Sequence, residues 1–539
     1  MFYMRKAKLL IMILMVLFSA CNLGFGWAGG NTLVKIGRPY YMFGPDTHRP
    51  DSPFNVVKRT DGQLLGYFGG GNTTVANMDA MWHLTETPTV ECLALGNGFD
   101  WNGAFLNTVI KTGSSYLGWY HAECGYAPEN PNRRYWEVGF CVSYDNWGYG
   151  RWYGKPAYPN NVCLQWEFGY HPEFTTPHGE GNLSVVQWGN YFYMIFEDTP
   201  YPGEADQRSG SGIARATLAS AGQPGYWWKW VNRDGNIGFL GAGNGGVADK
   251  PLYGTGVYVQ PWASVYTTDN KLCAGPFALM FASDQNNMES WDWAGLNGQF
   301  EWLYNEQLGA DNDGQEALGY GSMFNPVPSD PDFATNRWNN NGFYAYFMYI
   351  PPGISTATSK YLYRGLMHVP VNTQYVSSNN GMPHVWKTLT INYSSSLQDY
   401  WSTTAPMVNE GRVGNTTFSG NYNNTKNAVP ALDYTPQADL GYVFPNQTWY
   451  NLLAVYDLYN TVNKDHWLGL EAEKNQANTI ILRKVGYVWS YQYTDSIALY
   501  RFRNSNGTKH YSDVNPTPKS GYTLETTLGY IFPIGYNPG

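Results

Sequence analysis

Charge is scarce in this chain. Asp, Glu, Lys and Arg make up 14% of its 539 residues, and the formal net charge is −9. A nucleic-acid partner is excluded, because binding phosphate needs a basic surface. Cysteine is sparse and unpatterned. Cys21, Cys92, Cys124, Cys141, Cys163 and Cys273 contain no Cys-x-x-Cys and no Cys/His cluster at zinc spacing. One or two disulfides stand open beside the plainer reading of buried, small apolar residues. Past residue 20, no run approaches the ~18 apolar residues that a membrane helix needs.

Aromatics and glycine are abundant instead. Phe, Trp and Tyr reach 17%, with 44 Tyr and 22 Trp, and there are 60 Gly. Aromatics fit a pleated surface and Gly supplies turns, so the composition suits hairpin-rich β-structure rather than long helices or disorder. The N-terminus differs from the rest. Arg5, Lys6 and Lys8 precede the apolar run 9–18, then Ser19, Ala20 and Cys21. This is an export signal over 1–20. It resembles a bacterial lipoprotein signal, which implies lipidation at Cys21, a place in the cell envelope, and membrane contact through that anchor alone. Cleavage near Gly26–Ala28, giving a secreted protein, is the alternative.

One pattern recurs along the chain. A turn residue leads into an aromatic strand after Gly62, Gly113, Asn190, Asn270 and Gly342. Most copies have an apolar strand upstream, as in "NLSVVQW" (182–188). Most have a small-residue strand downstream, then a polar turn and Trp, as in "EVGFCVSYDNWGYGRW" (137–152). Repetition every 50–90 residues or so predicts the blades of a propeller, five of them, over residues 32–385. A β-sandwich has no reason to repeat this order.

A second repeat closes the chain. "GYVFP" at Gly441, "GYVW" at Gly486 and "GYIFP" at Gly529 are spaced alike, and Tyr456, Asn460 and His466 match Tyr500, Asn504 and His510. This predicts a smaller all-β module over 431–539, which resembles a secreted repeat of unsettled function. A closed trefoil would need three copies, and two and a fragment are visible. Residues 386–430, rich in Asn, Ser and Thr, read as a linker or a degenerate repeat.

In a propeller the innermost strands share one axial funnel, so acids at their entrances converge although far apart in sequence. Asp51 ("RPDSPFNVV"), Asp100 ("GFDWNGAFL") and Glu180 ("HGEGNLSVV") hold such positions. Carboxylates around one pocket suit glycoside hydrolysis: one protonated donor, one ionised base, and a third that raises the donor's pKa. The arrangement resembles the five-bladed propeller glycosidases of the arabinanase/xylosidase group. Asp51-Ser-Pro stands at their Asp-Pro and Glu180-Gly-Asn at their Glu-Gly-Pro. "VSYDNWGYGRW" and "IARATLASAGQPGYWW" are similar to their blade endings. The resemblance implies Asp51 as base, Asp100 as modulator, Glu180 as acid, and inversion. Glu123, in "HAECGY", is the alternative acid. Trp101, Trp119 and His178 are candidate sugar contacts. The expected ligand is a polysaccharide or oligosaccharide, bound by a monomer with no cofactor or catalytic metal, structural calcium excepted. A non-catalytic propeller that binds glycan or protein is the competing function, and turn-forming acids are its counterpart at each carboxylate.

Overall fold

The computed structural model describes residues 32–43, 50–125 apart from short interior gaps, 134–143, 160–165, 178–199, most of 210–242, parts of 262–293, 317–324, 337–338, 342–350, 365–375, 385–404, 434–444 and 451–536. The export signal and Cys21 lie outside the described residues.

The repeated turns do what their residues suggest. Gly62, Gly113, Gly189, Asn270 and Gly342 all have positive φ, which Gly and Asn tolerate best. Antiparallel sheets form around them in chain order. The first comprises Asn55–Lys58, Leu64–Gly69, Thr73–Met78 and Val90–Leu93. The second comprises Gly103–Thr112, Ser115–Gly125, Arg134–Ser143 and Val162–Leu164. His178–Trp188, Tyr191–Thr199, Gly210–Thr217 and Trp228–Arg233 make the third, extended by Asn236–Ala242, and a short parallel pairing of His178 and Gly179 with Tyr135 and Trp136 joins it to the second in one nine-stranded array. Trp262–Tyr266, Lys271–Gly275, Met280–Ala282 and Trp291–Trp293 make the fourth. In the last, Ala317–Phe324, Phe343–Ile350 and Gly365–Tyr375 are completed by the N-terminal strand Thr32–Ile36. The sequence pattern left Ala317–Phe324 undefined.

Hydrogen bonds carry each sheet to the next. Leu106 N donates to Thr73 Oγ1, Val185 N to Thr108 Oγ1, and Ser184 Oγ to the Ala263 carbonyl. Trp262 Nε1 donates to the Met323 carbonyl at 3.0 Å, and Tyr320 hydroxyl to Asp51 Oδ1 at 3.1 Å. The chain of contacts therefore returns from the last sheet to the entrance of the first. Together with the N-terminal strand in the final sheet, this is the closed ring of a propeller. Apolar layers fill the space between neighbouring sheets, with Trp119, Trp188, Trp227, Trp230 and Trp262 fully buried.

The C-terminal module closes as well. Each of three copies is a long strand, a short hairpin partner and a second long strand. They are Val385–Ser394, Asp399–Thr403 and Tyr434–Val443; Leu452–Asn460, Asp465–Leu470 and Thr479–Trp489; and Ile497–Asn504, His510–Asp513 and Tyr522–Ile531. Bulges fall at matching places in all three. The first copy thus starts at Val385 and uses residues that the sequence left between linker and degenerate repeat. The "GY" motif ends each copy rather than beginning it.

Closure explains that motif. Backbone bridges join Tyr442 to Phe532, Tyr487 to Phe444 and Tyr530 to Trp489, going once around the three copies. A Cβ on Gly441, Gly486 or Gly529 would sit 2.5, 2.7 or 2.6 Å from the carbonyl of Phe532, Phe444 or Trp489. Only glycine admits the neighbouring backbone so closely. The result is a trefoil around one apolar core that includes Val455, Val485, Leu499 and Phe502.

Ring and trefoil share a sheet. Thr32–Ile36 pairs antiparallel with Gly365–Tyr375 and parallel with Val385–Ser394. Thr388 hydroxyl donates to the Ile36 carbonyl, and Lys35 Nζ to the Tyr536 carbonyl at 2.7 Å.

Candidate active site on the entrance rim

Glu180 lies inside the strand His178–Trp188, and its backbone pairs with Asp198. Glycines flank it for steric reasons. A Cβ at Gly179 would strike the Trp136 carbonyl, and one at Gly181 would strike the His121 ring. Gly179 also has φ +116°. The "GEG" triplet is therefore the price of threading this strand between Trp136 and His121.

The side chain does not open onto solvent; Glu180 is 1% exposed. Its Oε1 accepts from Lys229 Nζ at 2.6 Å, and Lys229, itself 0% exposed, also donates to the Gln165 carbonyl. Glu180 Oε2 has no hydrogen-bond partner among the described residues. Burial pushes the carboxyl up to about 8, against the pull of Lys229, and the nearby charges of Asp198 and Glu137 push the same way. A carboxyl pushed upward in this way is biased towards its protonated form, which is what a general acid needs.

A second set of groups adjoins it. The Asn182 backbone N–H donates to His121 Nδ1 at 3.1 Å, which leaves the ring proton on Nε2, 3.6 Å from Glu123 Oε1. Asn182 Nδ2 donates to Glu197 Oε2, and His121 N to Asn107 Oδ1. His121 is thus a fixed hydrogen-bonding group between the second and third sheets. Glu123 sits at the same end of its sheet, mostly buried, with Trp136 and Gly103 as strand neighbours. Asn182 has φ +38°, at the bulge that follows Glu180.

Asp51 and Asp100 lie just before the first strands of their own sheets. Asp51 is half-buried, its N–H bound to the Gly69 carbonyl and its Oδ1 to Tyr320. Asp100 is buried and accepts from the Tyr120 hydroxyl at 3.0 Å, which in turn accepts from Asn161 Nδ2. Burial first, then the Asp100 carboxylate, holds the Tyr120 phenol well above its usual range, so it remains a donor. Trp101 next door is 39% exposed. The backbone of His178 pairs with Tyr135, and its side chain lies outside the described residues.

Trp119 requires a correction. It is not a sugar contact: it is fully buried against Phe140, Phe192 and Trp227, and its Nε1 donates to the Gly222 carbonyl. Strand alternation turns it inward between sheets, with no face left for a ligand. Among the cysteines, Cys141, Cys163 and Cys273 are buried.

Sequence reasoning missed Lys229, Asp198 and Glu137. Lys229 carried a signal. It is a lone cation within "WWKWV", where every neighbour is apolar, and a charge in such a strand must find a buried partner.

No family model and no curated protein matches the chain. Among solved structures it is similar to an α-L-arabinofuranosidase from Podospora anserina in complex with cellotriose, at 10% identity and TM-score 0.38, over 64% of this chain and 97% of that one. A GH62 α-L-arabinofuranosidase catalytic domain from Coprinopsis cinerea gives 9% and 0.37, over 63% and 97%. An α-L-arabinofuranosidase from Fusarium graminearum in complex with an iminosugar inhibitor gives 9% and 0.30, over 62% and 97%. Similarity this weak says nothing about the substrate of this chain.

Proposed function

We propose that the ring is an exported glycoside hydrolase that acts on polysaccharide or oligosaccharide with inversion. Glu180 is the proton donor, Asp51 the base that activates water, and Asp100 the carboxylate that shapes the field between them. One observation carries this reading: a buried carboxyl at the entrance of a first strand, pushed up to about 8 among further acids. A buried carboxyl biased towards its protonated form suits the proton donor's part in glycosidic cleavage, which needs one carboxyl protonated and another ionised. The chemistry needs no metal. Trp101, exposed beside Asp100, offers an aromatic face to a sugar. Export and tethering through Cys21 belong to the same proposal, since polysaccharide is met outside the cell.

The full burial of the Glu180–Lys229 pair favours a second reading, in which the pair is structural and the rim binds glycan without cleaving it. The two part on a screen of aryl-glycosides and plant polysaccharides. The enzyme releases sugar, and Glu180→Gln loses about 10²- to 10⁴-fold in rate on substrates with poor leaving groups. Activity unchanged in Glu180→Gln removes the assignment, and binding without release in the wild type favours the second reading.

A further inference from the structure

We propose that the trefoil carries one binding pocket for a neutral sugar, at the junction of its third and first copies, where the internal symmetry of its side chains is broken. This does not depend on the ring being an enzyme.

Strand register fixes which residues are equivalent. Ser394, Asn460 and Asn504 stand opposite Tyr434, Thr479 and Tyr522. Across the hairpins Tyr393 faces Tyr400, Tyr459 faces His466 and Arg503 faces His510. Hence Tyr400, His466 and His510 are equivalent, and so are the residues before them, Asp399, Asp465 and Lys509. The first junction is sealed: Asp399 Oδ2 lies 2.9 Å from His466 Nδ1, and Tyr434 hydroxyl donates to the same oxygen at 2.6 Å. The second is sealed likewise, by Asp465 Oδ2 and His510 Nδ1 at 2.6 Å. At the third junction the Asp–His pair is replaced by Lys509 and Tyr400. There a cavity of about 480 Å³ opens, lined by both residues together with Tyr393, Tyr522, Gln398 and Thr508.

The lining specifies the ligand class. Tyr400 is held against Tyr393 at 4.6 Å between ring centroids, with the Lys519 ammonium 3.9 Å from its ring and Tyr522 at 6.3 Å. These rings make rigid aromatic walls suited to the C–H surface of a sugar. Gln398, Thr508 and Lys509 add amide, hydroxyl and ammonium groups for its hydroxyls. The Lys509 charge is not offered free: Nζ lies 3.4 Å from Asp399 Oδ1 and donates to the Lys464 carbonyl. A pocket balanced in this way favours a neutral ligand over an acidic one. Its volume lies within the range of small-molecule sites, enough for about one or two sugar units. Gln398 holds a left-handed backbone, φ +48°, in an exposed turn, which presents its side chain at the pocket rim.

The test is affinity electrophoresis of the full chain in gels containing arabinan, xylan, β-glucan or polygalacturonate. Expected is retardation by at least one neutral polysaccharide, weakened about ten-fold by Gln398→Gly combined with Thr508→Ala, the loss of about two hydrogen bonds. Lys509→Met, which leaves the three tyrosines in place, weakens it similarly. Circular dichroism confirms that each variant is folded, and hydrolysis by the ring is unaffected. No retardation in any neutral gel overturns the proposal. So does retardation that persists undiminished in the folded variants, since it then belongs elsewhere, and so does stronger retardation by polygalacturonate than by every neutral gel.

Discussion

At the scale of single residues, Glu180 links stability to pH. Its carboxyl titrates near 4.5 in the unfolded chain and at about 8 in the fold. A raised carboxyl pKa means that the folded state binds the proton more tightly. The stabilisation is complete below about 4.5 and is lost as pH rises through about 8. The melting temperature of the wild type should therefore decline across that window, and that of Glu180→Gln should decline less, as calorimetry at fixed ionic strength would show. The two tryptophans should separate cleanly. Trp119→Ala should cost about 3–5 kcal/mol of stability in denaturant titration. Trp101→Ala should change stability by no more than about 0.5 kcal/mol and raise KM. Glu180 stood out in the sequence because an acid beside glycines at a strand start is unusual, and its burial among further acids was not readable there. At Lys229 the lone cation in "WWKWV" was a signal of burial but not of its partner, and alternation alone does not tell that Trp228, 49% exposed, faces outward and the lysine inward.

At the scale of elements, turns were the readable part. Gly62, Gly113 and Asn270 announce their hairpins because left-handed φ restricts the choice of residue. The first trefoil copy was hidden for two physical reasons. Its second long strand, Tyr434–Val443, is separated from its hairpin by residues 405–433, and its histidine position holds Tyr400. The repeated Asn was visible but its task was not: Asn460 Oδ1 accepts from Val462 N and Asn463 N, and Asn504 Oδ1 from Thr508 N and Lys509 N, each tying its own hairpin turn. The closing glycines give a test. Gly486→Ala places a Cβ 2.7 Å from the Phe444 carbonyl and should destabilise the trefoil by more than about 1 kcal/mol, read as earlier hydrogen exchange across Thr479–Trp489.

At the scale of the whole molecule, ring and trefoil are joined through Thr32–Ile36, which has a strand neighbour in each. Cutting the chain before Val385 strips one edge of that strand and the partners of Ile36 and Lys35. The remaining ring should melt several degrees lower than the full chain, and a cut at residue 430, which divides the first copy, should leave the edge of Val385–Ser394 that paired with Tyr434–Val443 open and prone to association. The claim on which the rest depends is that Glu180 delivers the proton to the departing sugar. The pH–rate profile of kcat/KM tests it most directly, on whichever glycoside the wild type cleaves. The account predicts a bell whose alkaline limb falls near pH 8 and moves upward in Lys229→Met, because removing the ammonium frees the carboxyl to hold its proton longer. An alkaline limb that stays in place in Lys229→Met, with Glu180→Gln as active as the wild type, would contradict it.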